Sequence, residues 1–276
     1  MGRSVTGRIR EINQPYGGFL KPTDMVIELY NDGKSLSPEE NIHPALVGLA
    51  VDYLSRYLLG QKLEEAFFIS LKGARIAEDF AKKNVQKIAF GLLYQIKGID
   101  DNSIACTCKL AAFDVWYRSL MGALTSATYA EINPDSSTIA NIRIMVERSL
   151  SFFEKNGPVV KCGFTFGPEK SKEEFSKNSD PKSKGGYTGT VSSGDGDILT
   201  AHTLWDFKVS KANPTKNDTL QLLMYWVMGK HSGQKVFDSI TKIGIFNPRL
   251  HKSYIFDIDN VQKELIDYIE KEIMRY

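Results

Sequence analysis

The sequence predicts an α/β protein, and three observations carry that expectation. Residues up to about Asp135 place apolar side chains mostly at helical spacing. From Ser136 onward, short runs rich in β-branched and aromatic residues alternate with helical stretches. The final stretch sets Val261, Leu265, Ile269 and Ile273 at four-residue steps, one face of a helix. The expected division is therefore a mostly helical region over 1–135 and a strand-bearing core over 136–276.

In the first region, Leu46, Leu49, Ala50, Tyr53, Leu54, Tyr57 and Leu58 mark one helix. A second amphipathic stretch runs from Glu64 to Tyr94, through Phe67, Leu71, Ile76, Phe80 and Ile88, and a third covers Ser103 to Leu124. Tyr16-Gly17-Gly18-Phe19 and Asn31-Asp32-Gly33 are turn signals ahead of them.

In the second region, Ser136 or Ser137 caps a helix through Ile139, Ile142, Val146, Leu150 and Phe153, which Gly157-Pro158 ends. Val159 to Phe166 reads as a strand, and Glu169 to Gly186 as a polar loop whose lysines (170, 172, 177, 182 and 184) could follow a phosphate backbone. Strands follow at Tyr187 to Ser193 and Thr203 to Val209, with a turn-rich segment between them. A helix covers Asn217 to Met228. Lys242 to Phe246 and Tyr254 to Ile258 form a hairpin about Asn247-Pro248, and Asp259 or Asn260 caps the last helix. The order in this half is helix, three strands, helix, strand, then a hairpin strand and a helix.

Composition narrows the function. The 276 residues are 42% hydrophobic and 25% charged, with a formal net charge of +2, so no global basic field advertises a polyanion and any such site must be local. The longest apolar stretch, Pro44 to Gly60, is broken by Asp52 and Arg56 and reads as a buried helix, not a membrane span. Met1 to Arg10 has no apolar run behind its arginines, unlike a secretory signal. Cys106-Thr-Cys108 lacks the two-residue gap of a zinc knuckle, and Cys162 stands alone. Three buried thiols and no leader point to a cytoplasmic protein.

The informative segment runs from Gly194 to Ser210. Asp206 and Lys208 lie two apart on an expected strand and so share a face with Leu204, while Trp205, Phe207 and Val209 take the other. Asp197, before the turn, approaches the same spot if the two strands pair. Converging carboxylates repel unless a cation sits between them. Hard oxygen ligands suit Mg²⁺ or Mn²⁺, which polarise a phosphodiester and lower the pKa of a bound water. Lys208 would orient that water or stabilise growing phosphorane charge.

Asp197, Asp206-Phe207-Lys208 and the following Gln221-Leu-Leu-Met-Tyr225 together resemble the PD-(D/E)XK nuclease superfamily, in its RecB-like branch with a Q-x-x-x-Y helix. The resemblance covers about Ser136 to Ile258. It implies a restriction-endonuclease-like core, a mixed central sheet flanked by helices, and metal-dependent hydrolysis of phosphodiester bonds in DNA, as an exonuclease or in defence against foreign DNA. It makes Asp197 and Asp206 metal ligands, adds the Phe207 carbonyl and Glu147, and makes Lys208 the catalytic lysine. Gln221 and Tyr225 border the site and contact substrate. Lys211 and Lys216, flanking strand and helix, are the expected phosphate contacts. Asp195 competes with Asp197 and could act through an outer-sphere water. No four-cysteine set implies an iron–sulfur cluster and no G-x-x-x-x-G-K-[ST] implies an ATP site, so a helicase motor or regulatory protein would be a separate chain. The alternatives are RNA as substrate, or a binding or structural protein of the same fold that does not cut.

Overall fold

The computed structural model describes residues 2–81, 84–167 and 185–276. It divides into two compact units, one built from Met1–Tyr30 with Asn156–Tyr276, the other from Asn31–Lys155. The lysine-rich loop expected over 169–186 falls almost wholly outside the described residues.

The first thirty residues form β1 (Arg3–Ser4), α1 (Val5–Ile9) and β2 (Val26–Leu29). Ser4 caps α1 by accepting the Gly7 amide at 3.1 Å, and Val5 and Ile9 bury the face that meets the core. This segment was expected in the helical region. It belongs instead to the sheet unit, because β1 and β2 pair with strands from the second half.

The unit Asn31–Lys155 is helical. It contains α2 (Pro44–Leu58), α3 (Leu63–Ala66), α4 (Phe68–Ala81), α5 (Val85–Leu93), α6 (Asp101–Ala111), α7 (Asp114–Arg118), α8 (Leu120–Ala123) and α9 (Ser136–Asn156). The two long amphipathic stretches expected over 64–94 and 103–124 are each broken into shorter helices. Close packing explains the order they keep: a Cβ on Gly73 of α4 would stand 1.9 Å from the Phe113 carbonyl oxygen at the head of α7. Buried Asp114 gathers hydroxyl donors from Tyr53 and Ser70, each at 2.5 Å, so the carboxylate satisfies three helices at once. Its pKa is nonetheless raised, burial outweighing those bonds. Cys106 and Cys108 are buried on α6, where burial lifts both thiols, Cys108 to about 12, as inert core residues require. α9 is capped not by Ser136 or Ser137 but by Asp135, which accepts the Thr138 amide at 2.7 Å. It belongs to this unit, not to the sheet.

The sheet unit continues with β3 (Val159–Phe166), β4 (Val191–Thr200), β5 (Thr203–Phe207), α10 (Lys216–His231), β6 (Lys242–Asn247), β7 (Lys252–Asp257) and α11 (Lys263–Tyr268), which runs into a π-helical turn, Ile269–Met274. The seven strands make one mixed sheet in the order β1-β4-β5-β6-β7-β2, with β3 on β4. β5 lies parallel to β6 and antiparallel to β4; β6, β7 and β2 are antiparallel in turn. The α/β layout with a mixed sheet is therefore present. α10 covers one face, with Leu220, Leu223, Met224 and Val227 packed against Leu199, Leu204, Ile243 and Ile245.

One strand differs from expectation in a way that matters. Tyr187 to Ser193 was expected as strand and Gly194-Asp-Gly-Asp197 as turn, but β4 runs straight through the second segment. Its glycines serve close approach instead of a turn. A Cβ on Gly196 would meet the Phe164 ring at 1.9 Å, and one on Gly194 would crowd Tyr225 and Val5 at 3.1 Å. The reversal comes later, at Ala201-His202.

Candidate active site

β5 is an interior strand, flanked by β4 and β6, so its residues are buried from both edges. The expected alternation holds. Leu204 joins the core under α10. On the opposite face Trp205 lies over Gly244, where a Cβ would be 2.4 Å from the ring, and donates from its indole nitrogen to Thr200 at 3.1 Å. Phe207 pairs with Phe246, ring centroids 6.1 Å apart. Asp206, between them in sequence, shares the α10 face and is only 4% exposed.

β4 and β5 pair through Ile198↔Trp205 and Leu199↔Leu204, and continuing that antiparallel register sets Asp197 opposite Asp206. At that point the Asp197 side chain takes over from the backbone: its Oδ2 accepts the Phe207 amide at 2.7 Å. Lys208 stands one residue past the end of β5, but its amide still donates to the Phe246 carbonyl at 3.0 Å, which prolongs the ladder and fixes its direction. The connection onward to α10 is pinned by Asn247 donating to the Ser210 carbonyl and Tyr254 donating to Asn213.

The structure brings Asp206, Lys208, Gln221 and Tyr225 together. Lys208 Nζ is 3.0 Å from Asp206 Oδ2, 3.4 Å from Asp218 Oδ1 and 3.4 Å from Gln221 Oε1. Gln221 in turn donates to the Tyr225 hydroxyl at 3.0 Å, the two being one turn apart on α10. Asp206 Oδ2 is fully buried, and the Lys208 ammonium 3.0 Å away compensates its charge.

The electrostatics follow from this geometry. Burial pushes the Asp206 carboxyl up to about 7; Lys208 opposes the rise and the Asp197 charge adds to it. Burial alone would depress Lys208, but Asp206, Asp218 and Asp197 outweigh it and hold the ammonium above the usual lysine range. Tyr225 is raised well above its ordinary value by burial first, then by the charges of Asp206, Asp195 and Asp197. At neutral pH the site thus holds a cationic lysine, a neutral phenol and a carboxyl poised between its two forms.

Asp218 is the residue the sequence reading missed. Thr215-Lys-Asn-Asp218 is a capping box: Asp218 Oδ2 accepts from both the amide and hydroxyl of Thr215 at 2.7 Å. Its other oxygen faces Lys208. The T-x-x-D spacing was the available signal. Lys211 and Lys216 are both exposed, Lys216 as the first residue of α10. Glu147 lies on α9 in the helical unit, where its carboxylate accepts from Lys34 Nζ at 2.5 Å.

Would these residues suit a divalent ion? Among the described residues, no group of three or more His, Cys, Asp or Glu is arranged to hold a metal. Two carboxylates are enough only for an ion that keeps most of its own water, as Mg²⁺ does. Here the carboxylates that face each other are Asp206 and Asp197, the first paired to Lys208 and the second accepting the Phe207 amide. No protein-family model, curated protein or solved structure matches the chain. Among the described residues no helix is long and apolar enough to cross a membrane.

Proposed function

We propose that the chain is a Mg²⁺- or Mn²⁺-dependent nuclease with a restriction-endonuclease-like core, hydrolysing phosphodiester bonds in DNA. One observation carries the reading. A buried carboxylate, with a second beside it, is paired to a lysine that Asp218 and Gln221 also hold, at the end of an interior strand. A purely structural role has no need of like charges gathered in a core, since burying a carboxylate is costly unless it is paired and hydrogen-bonded.

Asp206 and Asp197 would hold the ion, with the Phe207 carbonyl as the family pattern adds; the ion would polarise the phosphodiester and make a bound water acidic enough to attack. Lys208 is a fixed positive charge and not a base, because its carboxylate neighbours keep it protonated. Its part is to stabilise negative charge that grows on the phosphorane. Gln221 and Asp218 aim the ammonium, and Tyr225, kept neutral, anchors Gln221. Lys211 and Lys216, both exposed, would meet flanking phosphates. The reading does not need Glu147, whose charge Lys34 already answers.

The test uses labelled single-stranded DNA, duplex DNA and RNA with Mg²⁺, Mn²⁺ or EDTA. The wild type is expected to cut DNA only with a divalent ion, and Asp206→Ala to cut nothing while staying folded. Cleavage by Asp206→Ala at the wild-type rate ends the proposal. Cutting of RNA alone would move the substrate class, and tight binding without cutting would make this a binding protein.

A further inference from the structure

The turn Pro15-Tyr-Gly-Gly18 plays no part in the site described above, yet it is held against the same helix. The Gly18 amide donates to the Pro15 carbonyl at 2.9 Å, and Gly17 sits at φ +80, where a type II turn requires glycine. That geometry throws the residue between them, Tyr16, outward. Its neighbours are all anchored. Gln14 is 7% exposed and donates to Asn217 at 2.8 Å, and the Leu20 carbonyl accepts from Thr219 at 2.6 Å. Phe19 packs on Tyr268 with centroids 5.5 Å apart. Gly18 lies so near Lys216 that a Cβ there would be 2.6 Å from the lysine Cβ.

Lys216, Asn217 and Thr219 form the first turn of α10, so the turn is clamped to the start of the helix that carries Asp218 and Gln221. From Lys216 to Gln221 the helix rises only about 7.5 Å, five residues at ~1.5 Å each. Asn217 and Gln221 stand one turn apart on neighbouring positions of the helix surface. Against this rigid support, Tyr16 is 101% exposed. A large ring left wholly in water on an anchored turn forfeits its burial energy in the free protein. It also starts with its position already fixed, so a ligand laid on its face orders little more than one side chain. Lys21, whose stem passes 3.3 Å from the place of a Gly17 Cβ, and Lys216, against Gly18, put two exposed cations on the same turn. A ring to stack on, flanked by two cations, matches a nucleotide's flat base and anionic phosphates.

We propose that the Pro15–Gly18 turn is a base-stacking platform for the strand entering the Lys208 site. Tyr16 takes the face of one nucleobase, and Lys21 and Lys216 take the phosphates beside it. This rests on the nucleic-acid part of the reading above, and not on cleavage.

The experiment measures binding of short labelled single-stranded DNA in EDTA, by fluorescence anisotropy, with a set of oligonucleotides each lacking one base. Tyr16→Ala should weaken binding roughly 5- to 150-fold, the usual effect of losing one base–aromatic stack, while Tyr16→Phe binds like the wild type. One abasic position should cost the wild type the same factor and cost Tyr16→Ala nothing more. The melting temperature of Tyr16→Ala should not move, since the ring packs on nothing. Wild-type binding by Tyr16→Ala overturns the platform, as does an abasic penalty that persists in full without the ring. If the wild type cuts DNA but Tyr16→Ala binds unchanged, the platform falls and the nuclease stands. If binding depends on Tyr16 but no cutting occurs, the platform stands and the nuclease falls. Absence of any binding removes the platform and leaves the nuclease to the cleavage assay.

Discussion

Asp206→Asn should make the protein more stable at pH 8 without divalent ions, although it removes half of an ion pair. Burial raises the folded carboxyl to about 7, against about 3.9 in an unfolded chain. Three units at about 1.36 kcal/mol each make ionisation in the folded state cost about 4 kcal/mol. The sign follows from the direction: the folded state binds this proton more tightly than the unfolded one. The contribution to stability is whole below pH 4 and is lost as pH rises to about 7. Asparagine has no such cost. It does remove one of the groups around Lys208, but Asp218 and Gln221 remain. The Lys208 attraction is already contained in the folded value, so the gain is at most about 4 kcal/mol.

Calorimetric unfolding of both proteins at pH 4 and pH 8 reads this directly. The variant should melt higher at pH 8, by at most roughly 8–16 °C at about 2–4 °C per kcal/mol for a protein of this size, and no higher at pH 4. Millimolar Mg²⁺ or Mn²⁺ at pH 8 should raise the wild type by mass action and leave the variant alone. A variant that melts lower than wild type at pH 8 would mean that the Lys208 pair outweighs the burial cost. Asp206 would then be a satisfied structural carboxylate, and the case for a cation beside it would fail.

Lys208→Ala should lower cleavage at least about a hundredfold at unchanged substrate affinity, the scale of losing one preorganised charge, as kcat and KM measured separately will show. Asp218→Asn keeps an oxygen for the Thr215 cap but turns an amide towards Lys208; kcat should fall with the melting temperature held, whereas Asp218→Ala should also lose about 1 kcal/mol of stability from the cap. The Mg²⁺ concentration for half-maximal activity should rise about tenfold per pH unit below about 7, as the ion competes with the Asp206 proton; a flat dependence from pH 6 to 8 would count against Asp206 as a ligand. Gly196→Ala should destabilise by about 1–3 kcal/mol, because the Phe164 ring occupies the place of the new methyl, and a neutral result in urea unfolding would contradict the close packing of β3 on β4.

Much of the sheet unit was legible because its strands are buried on regular faces. Val159 to Phe166, Thr203 onward and Lys242 onward were read from short apolar runs, and the β6–β7 hairpin from Asn247-Pro248. Asn247 indeed closes it, its side chain accepting the Arg249 and Leu250 amides. Gly194-Asp-Gly-Asp197 misled because composition cannot distinguish a glycine that bends the chain from one that admits a neighbouring ring. The first thirty residues misled for a different reason. β1 is two residues long and β2 four, and each is a strand only by pairing with chain more than 180 residues away. Such pairing leaves no periodicity for a local reading to find.

The candidate site shows the same division between local and distant information. Two residues apart on a strand is a distance sequence can measure, and Asp206 with Lys208 came from it; Gln221 with Tyr225 came from the family resemblance, and their four-residue spacing put them on one helix face. What sequence cannot measure is where the helix begins relative to the strand, and that is what makes Lys208 a fixed cation. Asp218 spends one oxygen on the Thr215 cap, which sets the first turn of α10, and turns the other to the ammonium. Helix start and lysine position are therefore coupled through one carboxylate. If the cap is broken without touching Lys208, by Thr215→Val, Asp218 loses its hydroxyl partner but keeps its charge. Cleavage should then fall only as far as the ammonium drifts, by a smaller factor than in Asp218→Asn. Were Asp218→Asn to keep the wild-type kcat while Thr215→Val lowered it, the cap alone would explain Asp218, and the charge it turns to Lys208 would be incidental.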